Sequence, residues 1–196
     1  MANVAPFQII AGPAKVYVAP TGTAFPAVSV PSTSLDTGGT WSPLGMTDGG
    51  VKVMHPQTIV ELRTDQVTGV VKAVRSEESL EITFSIAELT LDKYAVALNS
   101  LATSGVTSNA NDKTVNLYRG GSQVQTMALV VRGEHLSPYG DFNLQYEVPV
   151  VFEAGAPESD FTRDNKALLA LTFHVEVDPN RLNDAASFGV LRAGTS

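Results

Sequence analysis

The chain contains no cysteine. That absence removes disulfides and thiolate metal sites together, and it fits assembly in a reducing cytoplasm. Long apolar runs are also missing, and nothing approaches the roughly 20 apolar residues of a membrane span. No basic residue precedes Lys15, and the apolar run over residues 7–11 is short and ends at Gly12-Pro13. A secretory signal needs a positive start and a longer apolar stretch, so a soluble protein outside the usual export route is expected. Positive charge is scarce as well: 13 basic residues against 20 acidic ones leave a net charge of −7. That balance argues against a surface that wraps nucleic acid. A negative surface suits a place that polyanions must pass without sticking.

Catalytic machinery is just as sparse. His55, His135 and His174 lie on separate segments, without the spacing that brings two imidazoles to one metal. No serine stands in a Gly-x-Ser-x-Gly elbow, and Gly38-Gly39 and Gly120-Gly121 are isolated turn pairs, not phosphate loops. Glu77, Glu78 and Glu81 read as a turn and a wet strand face. Asp160, Asp164 and Asp178 lack the spacing of a calcium loop. The expectation is therefore no enzyme, no catalytic residue, no metal ligand and no cofactor.

What the chain does have is an abrupt change of period. Over residues 79–86, Leu80, Ile82, Phe84 and Ile86 alternate with Ser79, Glu81, Thr83 and Ser85. This period of two marks a strand with one face buried and the other wet. Leu91, Tyr94, Ala95, Leu98 and Leu101 then fall at helical spacing, with Thr90 placed to cap the first turn. A helix is expected over about residues 91–101.

Elsewhere the pattern is β. Short strands are expected over residues 15–19, 51–54 (after a turn cluster at 44–50), 115–119 and 124–132, extended segments over 57–63 and 67–75, and longer strands over 143–153 and 168–177. In the first of the long ones Phe142, Leu144, Tyr146, Val148, Val150 and Phe152 share a side. Pro149 in that run implies an edge or a bulge, because proline cannot donate to a ladder. In the second, Leu169, Leu171, Phe173, Val175 and Val177 point inward. Residues 21–43 carry no core period and read as a surface excursion, with Trp41 packing where it rejoins the body. Residues 46–67 form a protruding hairpin or long loop, and an unpatterned loop of that length is usually functional or disordered. Residues 103–113 read as a flexible connection, and 180–196 have no clear period. Strands with one helix and no βαβ alternation predict a mainly β sandwich or barrel with a flanking helix. At 196 residues one domain is expected, burying roughly 70% of its unfolded surface.

An ordered set of segments carries a family resemblance. Residues 41–50, residues 61–66, the strand 80–86, the helix opened by Glu88-Leu89-Thr90-Leu91, and Asp164-Asn165-Lys166-Ala167 before the last strand resemble a phage major tail protein. This is the tail tube protein of long-tailed bacteriophages. The likeness spans about residues 12–180, as an order and spacing of weakly specific elements. It implies a structural subunit that closes into homohexameric rings, which stack into a hollow tube for the DNA genome. The implied partners are copies of itself, the tail terminator, the tape-measure and the baseplate or tip proteins. Double-stranded DNA would pass non-specifically, with no membrane involved. The implied location is the virion tail, after assembly in the host cytoplasm.

The resemblance also divides the chain into an arm (1–13), a tail-tube β-domain (14–180) and a C-terminal segment (181–196). Unsatisfied strand edges would pair around a ring. Candidate lumen-facing residues are Glu81, Thr83, Ser85, Asn143, Gln145 and Glu147. Candidate inter-subunit or inter-ring residues are Phe7, Ile9, Trp41, Asp48, Val53, His55, Ile59, Arg63 and Asp65. Six copies at −7 each would put −42 on a ring, enough to keep DNA from adhering. The alternatives are another virion or secretion β-protein (a tail terminator, a capsid decoration protein, a needle-tube subunit) and a glycan-binding β-sandwich. The last would present an aromatic platform, for which Trp41, Tyr118 and Tyr139 are the loop-adjacent candidates.

Overall fold

The computed structural model describes residues 10–28, 35, 39–101, 106–119, 121–159, 161, 163, 165–181 and 185–195. Before the helix come β1 (Lys15–Pro20), β2 (Ser42–Pro43), β3 (Thr47–Met54), β4 (Gln57–Thr64), β5 (Val67–Glu78) and β6 (Glu81–Ile86). After α1 (Leu91–Ala97) come β7 (Val106–Ser108), β8 (Lys113–Val115), β9 (Met127–Gly133), β10 (Leu144–Glu153), β11 (Leu169–Val175) and β12 (Val190–Ala193). The protein is mainly β with one short helix, as its pattern predicts. The main sheet runs β2-β1-β9-β10-β11-β6-β3, with β12 added on β10. Its pairings are antiparallel.

Strand β10 belongs to both halves of this sheet. Its first residues lie between β9 and β12, and Val151, Phe152 and Glu153 pair with β11. The register shifts between Val148 and Val151, around Pro149. A bulge there is the physical consequence of a residue with no N–H to give, and bulges let one strand turn from one half of a sheet into the other. The bulge also reverses the side-chain phase. Val148 and Val151 both enter the main core, so the single face expected to carry Val148, Val150 and Phe152 together does not exist.

The core joins Ile82, Phe84 and Ile86 of β6 to Leu169, Leu171 and Phe173 of β11, Met127 and Leu129 of β9, Val16 and Val18 of β1, and Val96 of α1. Along β6 every second residue is buried and the intervening ones are half-buried, matching the period-two pattern. The helix is shorter than its spacing suggests. The Thr90 side chain accepts from the Lys93 N–H at 3.4 Å, capping the first turn. Asn99, at a left-handed φ of 59°, ends it. The Asn99 amide then clasps the Glu153 backbone, donating to its carbonyl at 2.8 Å and accepting from its N–H at 2.6 Å. One residue thus closes the helix and ties it to the end of β10.

A second cluster covers the opposite face of β1 and β9, where Tyr17, Ala19, Ala128 and Val130 meet Trp41 and Phe25. Trp41 packs as expected, its ring 5.6 Å from Phe25 and its Nε1–H donating to the Ala24 carbonyl at 3.1 Å. The described part of residues 21–43 is therefore a cover over the sheet, where the composition suggested a surface loop. Burial on both faces also explains why residues 127–131 of β9 read as an unbroken apolar run.

Other boundaries move. Gly49 and Gly50, at φ of 76° and 85°, form a two-residue bulge inside β3, between Asp48 and Val51, where a turn was expected. Part of the expected flexible connection is the small hairpin of β7 and β8. Val177 lies beyond β11 and is exposed. Strand β12 emerges from a segment without period and joins the sheet through β10.

Candidate assembly surfaces

Strands β4 and β5 form a hairpin of their own around the turn Asp65-Gln66. Every residue in both strands is exposed, and none belongs to either core cluster. The protruding hairpin or long loop was expected over residues 46–67; the two-stranded hairpin spans residues 57–78, and residues 47–54 are a bulged strand of the main sheet. Its composition is unusual for a wet ribbon. Val60 opposes Val74, and Leu62 opposes Lys72, on one face; Ile59 and Ala73 lie on the other. Ile59, Val60, Leu62, Val67, Val70, Val71 and Val74 are all exposed. Lateral ties such as Arg75 Nε–H to Gln57 Oε1 at 2.9 Å and Thr58 Oγ1–H to Glu77 Oε2 at 3.2 Å steady the ladder without covering it. Large apolar side chains left exposed on both faces of one ribbon make it a candidate interaction site.

The candidates for contact between subunits fall in different settings. Ile59, Arg63 and Asp65 are on the hairpin, and exposed His55 is at its base. Asp48 is half-buried, with its carboxylate 2.7 Å from Lys166 Nζ. Val53 pairs with Ile82 and packs partly against the core. Trp41 is only 6% exposed and is spent on the second cluster, so it is corrected to an internal packing residue. Phe7 and Ile9 lie outside the described residues.

The lumen candidates split into two groups. Glu81, Thr83 and Ser85 lie on the outer face of β6 and are half-buried. Their cross-strand neighbours are His174, Thr172 and Ala170 on β11, and Met54, Lys52 and Asp48 on β3. Together they make a polar, accessible sheet face whose charges of both signs alternate. His174 Nε2 is 3.8 Å from Glu81 Oε2.

Asn143, Gln145 and Glu147 are different, and their expected wet position is corrected. Gln145 is 0% exposed and Glu147 3%. Residues 24–28 lie across them: Gln145 Nε2–H donates to the Pro26 carbonyl at 2.7 Å and to Glu147 Oε1 at 2.5 Å. Arg132 Nη2 donates to the Ala27 carbonyl at 3.3 Å, and Arg192 reaches Glu147 Oε2 at 3.1 Å. Asn143 accepts from the His135 N–H at 3.3 Å. The polar alternation reflected a hydrogen-bonded interior under a strap. Such groups are costly inside unless partnered, and here Gln145 Oε1 and Arg132 Nε have no hydrogen-bond partner among the described residues.

A family model described as Phage tail tube protein matches residues 1–175. The chain belongs to the phage tail tube protein family. It is accordingly a structural protein and not an enzyme, and its family implies a place in the virion tail. Among solved structures, this tail tube protein is similar to a chain in the cryo-EM structure of an extracellular contractile injection system, the PVC sheath–tube complex in its extended state. The TM-score is 0.48 and the identity 13%, covering 93% of this chain and 89% of that one. No curated protein matches.

One buried group in the tail tube protein escaped the sequence pattern. Glu153, at the end of β10, accepts from the Gly155 N–H at 3.0 Å and the Thr172 N–H at 3.4 Å through Oε1. Its Oε2 is fully buried, with Arg119 Nη2 at 3.5 Å. Burial raises its pKa above the ordinary 4.5, against the opposing pull of those N–H groups and of Arg119. The folded state therefore holds this proton more tightly than the unfolded chain does. Glu153 contributes most to stability at low pH and progressively less as pH rises from about 4.5 through its folded pKa. Glu153→Gln keeps an oxygen for the two N–H groups and cannot ionise. Its thermal midpoint relative to the unaltered protein is expected to climb between pH 4.5 and pH 8; a difference that stays flat or falls would contradict the assignment. Glu88 shows the opposite case at the surface: the hydrogen bond and charge of Lys93 hold its carboxyl below the usual range.

Proposed function

We propose that this protein closes into hexameric rings that stack into a hollow tube, through which double-stranded DNA passes during ejection. The observation that carries the proposal is the hairpin of β4 and β5: twenty strand residues, all exposed and rich in valine, serve no packing purpose inside the subunit. Burying such a ribbon against another copy removes its apolar area from water at roughly 25 cal/mol per Å². Rings also answer the outer edges of β2, β3 and β12, which pair with no further strand among the described residues.

In this reading the polar face of Glu81, Thr83 and Ser85, with Lys52, Thr172 and His174, lines the lumen. It carries no cluster of cations that would hold phosphates, and its acids are offset by Lys52 and Lys166, so DNA finds few sites to adhere. The subunit would assemble in the host cytoplasm and meet the terminator, tape-measure and tip proteins at the tube's ends and interior. The glycan-binding alternative loses Trp41, one of its three candidates, because it is internal, while Tyr118 and Tyr139 are exposed.

Negative-stain images of the concentrated protein, beside its mass in solution, test the proposal. Hollow tubes with six-fold cross-sections are expected. A persistent monomer even when seeded with pre-formed tail tips would overturn it. In a map of the tube, Thr83 on the outer surface would refute the lumen assignment alone.

A further inference from the structure

Residues 116–126 connect β8 to β9 without joining a strand themselves. At one end Lys113 of β8 reaches Asp92 of the helix at 3.7 Å, and at the other β9 enters the core. Among the described residues of this connection, every hydrogen bond and ion pair runs through Arg119. Its Nη2 donates to the Gly155 carbonyl at 3.4 Å and lies 3.5 Å from Glu153 Oε2. Leu117, Tyr118 and Val124 are exposed, so apolar packing adds little. A segment with so few buried contacts opens at little cost, and its one polar tether sets where it lies.

The far end of that tether is closely built. A Cβ at Gly155 would stand 2.8 Å from Glu153 Oε1 and 3.1 Å from Thr172 Cβ, so the buried carboxyl has its room only beside a glycine. Oε1 already accepts from the Gly155 and Thr172 N–H groups, whereas Oε2 has no hydrogen-bond partner among the described residues. A proton on this carboxyl therefore belongs on Oε2. Ionised, Oε2 is an acceptor facing a guanidinium that can only donate. Protonated, it turns a donor toward a donor, and the attraction of opposite charges is gone.

We infer that Glu153 is a latch: its ionised carboxylate holds Arg119 and fixes residues 116–119 in place, and its neutral carboxyl lets them go. Among the described residues, the charged or titratable groups that act on it are Arg119, from the connection, and His174, from β11. The Gly155 and Thr172 N–H groups complete its surroundings, and the neutral amide of Asn99 holds its backbone. Falling pH protonates the carboxyl, so opening the latch takes up a proton. Because burial holds this carboxyl above the ordinary 4.5, release begins in milder acid than an exposed glutamate would require. Leu117 and Tyr118, next to Arg119, have a fixed place at high pH and lose it as pH falls. The device works within one subunit and does not depend on the tube.

The absence of native cysteine allows a direct test. A nitroxide label on Leu117→Cys reports the motion of the segment by electron paramagnetic resonance, in dilute protein taken from about pH 8 to about pH 4. With Glu153 and Arg119 in place, the ratio of mobile to immobile label is expected to rise as pH falls. The uptake of one proton limits that rise to about tenfold per pH unit. Far-UV circular dichroism over the same range separates release from unfolding. Glu153→Gln cannot ionise, and Arg119→Gln has no charge to be held, so both should show the mobile spectrum already at pH 8. An immobile label at pH 8 in Arg119→Gln would overturn the inference. So would a spectrum indifferent to pH in the presence of Glu153, or a transition of the folded protein that persists in Glu153→Gln. If the protein unfolds before Glu153 takes up its proton, Arg119→Gln at pH 8 decides alone.

Discussion

Replacing Val60 by glutamate and Val74 by lysine abolishes tubes and leaves the subunit folded, if the hairpin is the assembly surface. The two residues oppose one another directly and are 46% and 42% exposed. Opposite charges at facing positions keep the cross-strand pair favourable, so the ribbon itself survives. What is lost is apolar contact with the neighbour, and what is added is a charged pair that docking must desolvate at several kcal/mol per ion. A penalty on the order of 3 kcal/mol per contact raises the concentration needed for assembly about a hundredfold. Far-UV circular dichroism and the thermal midpoint of the monomer should match those of the unaltered protein. Tubes forming at an unchanged concentration would show that this face of the hairpin is not buried on assembly.

The second large effect is inside the subunit. Phe173 is wholly buried in β11, stacked on Phe84 with ring centroids 5.9 Å apart, and directly opposite Ile82 of β6. Phe173→Ala removes a large side chain from the middle of the main core and leaves a cavity that these strands cannot close. The expected loss is about 3–5 kcal/mol, a large share of the roughly 5–15 kcal/mol that a domain has in total. Urea denaturation of the monomer measures it. A loss below about 1 kcal/mol would mean that the core collapses around the gap or that Phe173 is not packed as described.

Where one physical cause dominated, the sequence was readable. The alternation of residues 79–86 survives into β6 because the strand has core on one side and an accessible polar face on the other. Thr90 could be placed because a capping hydroxyl depends on its own first turn alone. Pro149 announced a bulge through its missing donor. Illegible features arise from parts of the chain distant in sequence. Gln145 and Glu147 look wet by pattern and are buried because residues 24–28 lie across them, over a hundred residues away. Trp41 looked available for a partner until Phe25 and Tyr17 were seen around it. Strand β12 has no alternation of its own, and only β10 gives it a reason to be extended. The hairpin was legible as a protrusion, but its bounds were misjudged because the two glycines of β3 imitate a turn.

The hairpin's isolation also bears on how growth begins. A two-stranded ribbon with no third strand among the described residues is marginal in water, and segments lacking buried contacts open at little cost. A free subunit would therefore present its sticky surface only part of the time and meet few others ready to receive it. At an existing tube end the template is already ordered, and each arriving copy completes its ribbon by docking. Polymerisation should then show a lag that pre-formed seeds abolish, read by light scattering. Such a threshold would restrict growth to sites where an initiator has been laid down and keep stray filaments from consuming the pool. A lag-free time course would show instead that the ribbon is already rigid in the free chain.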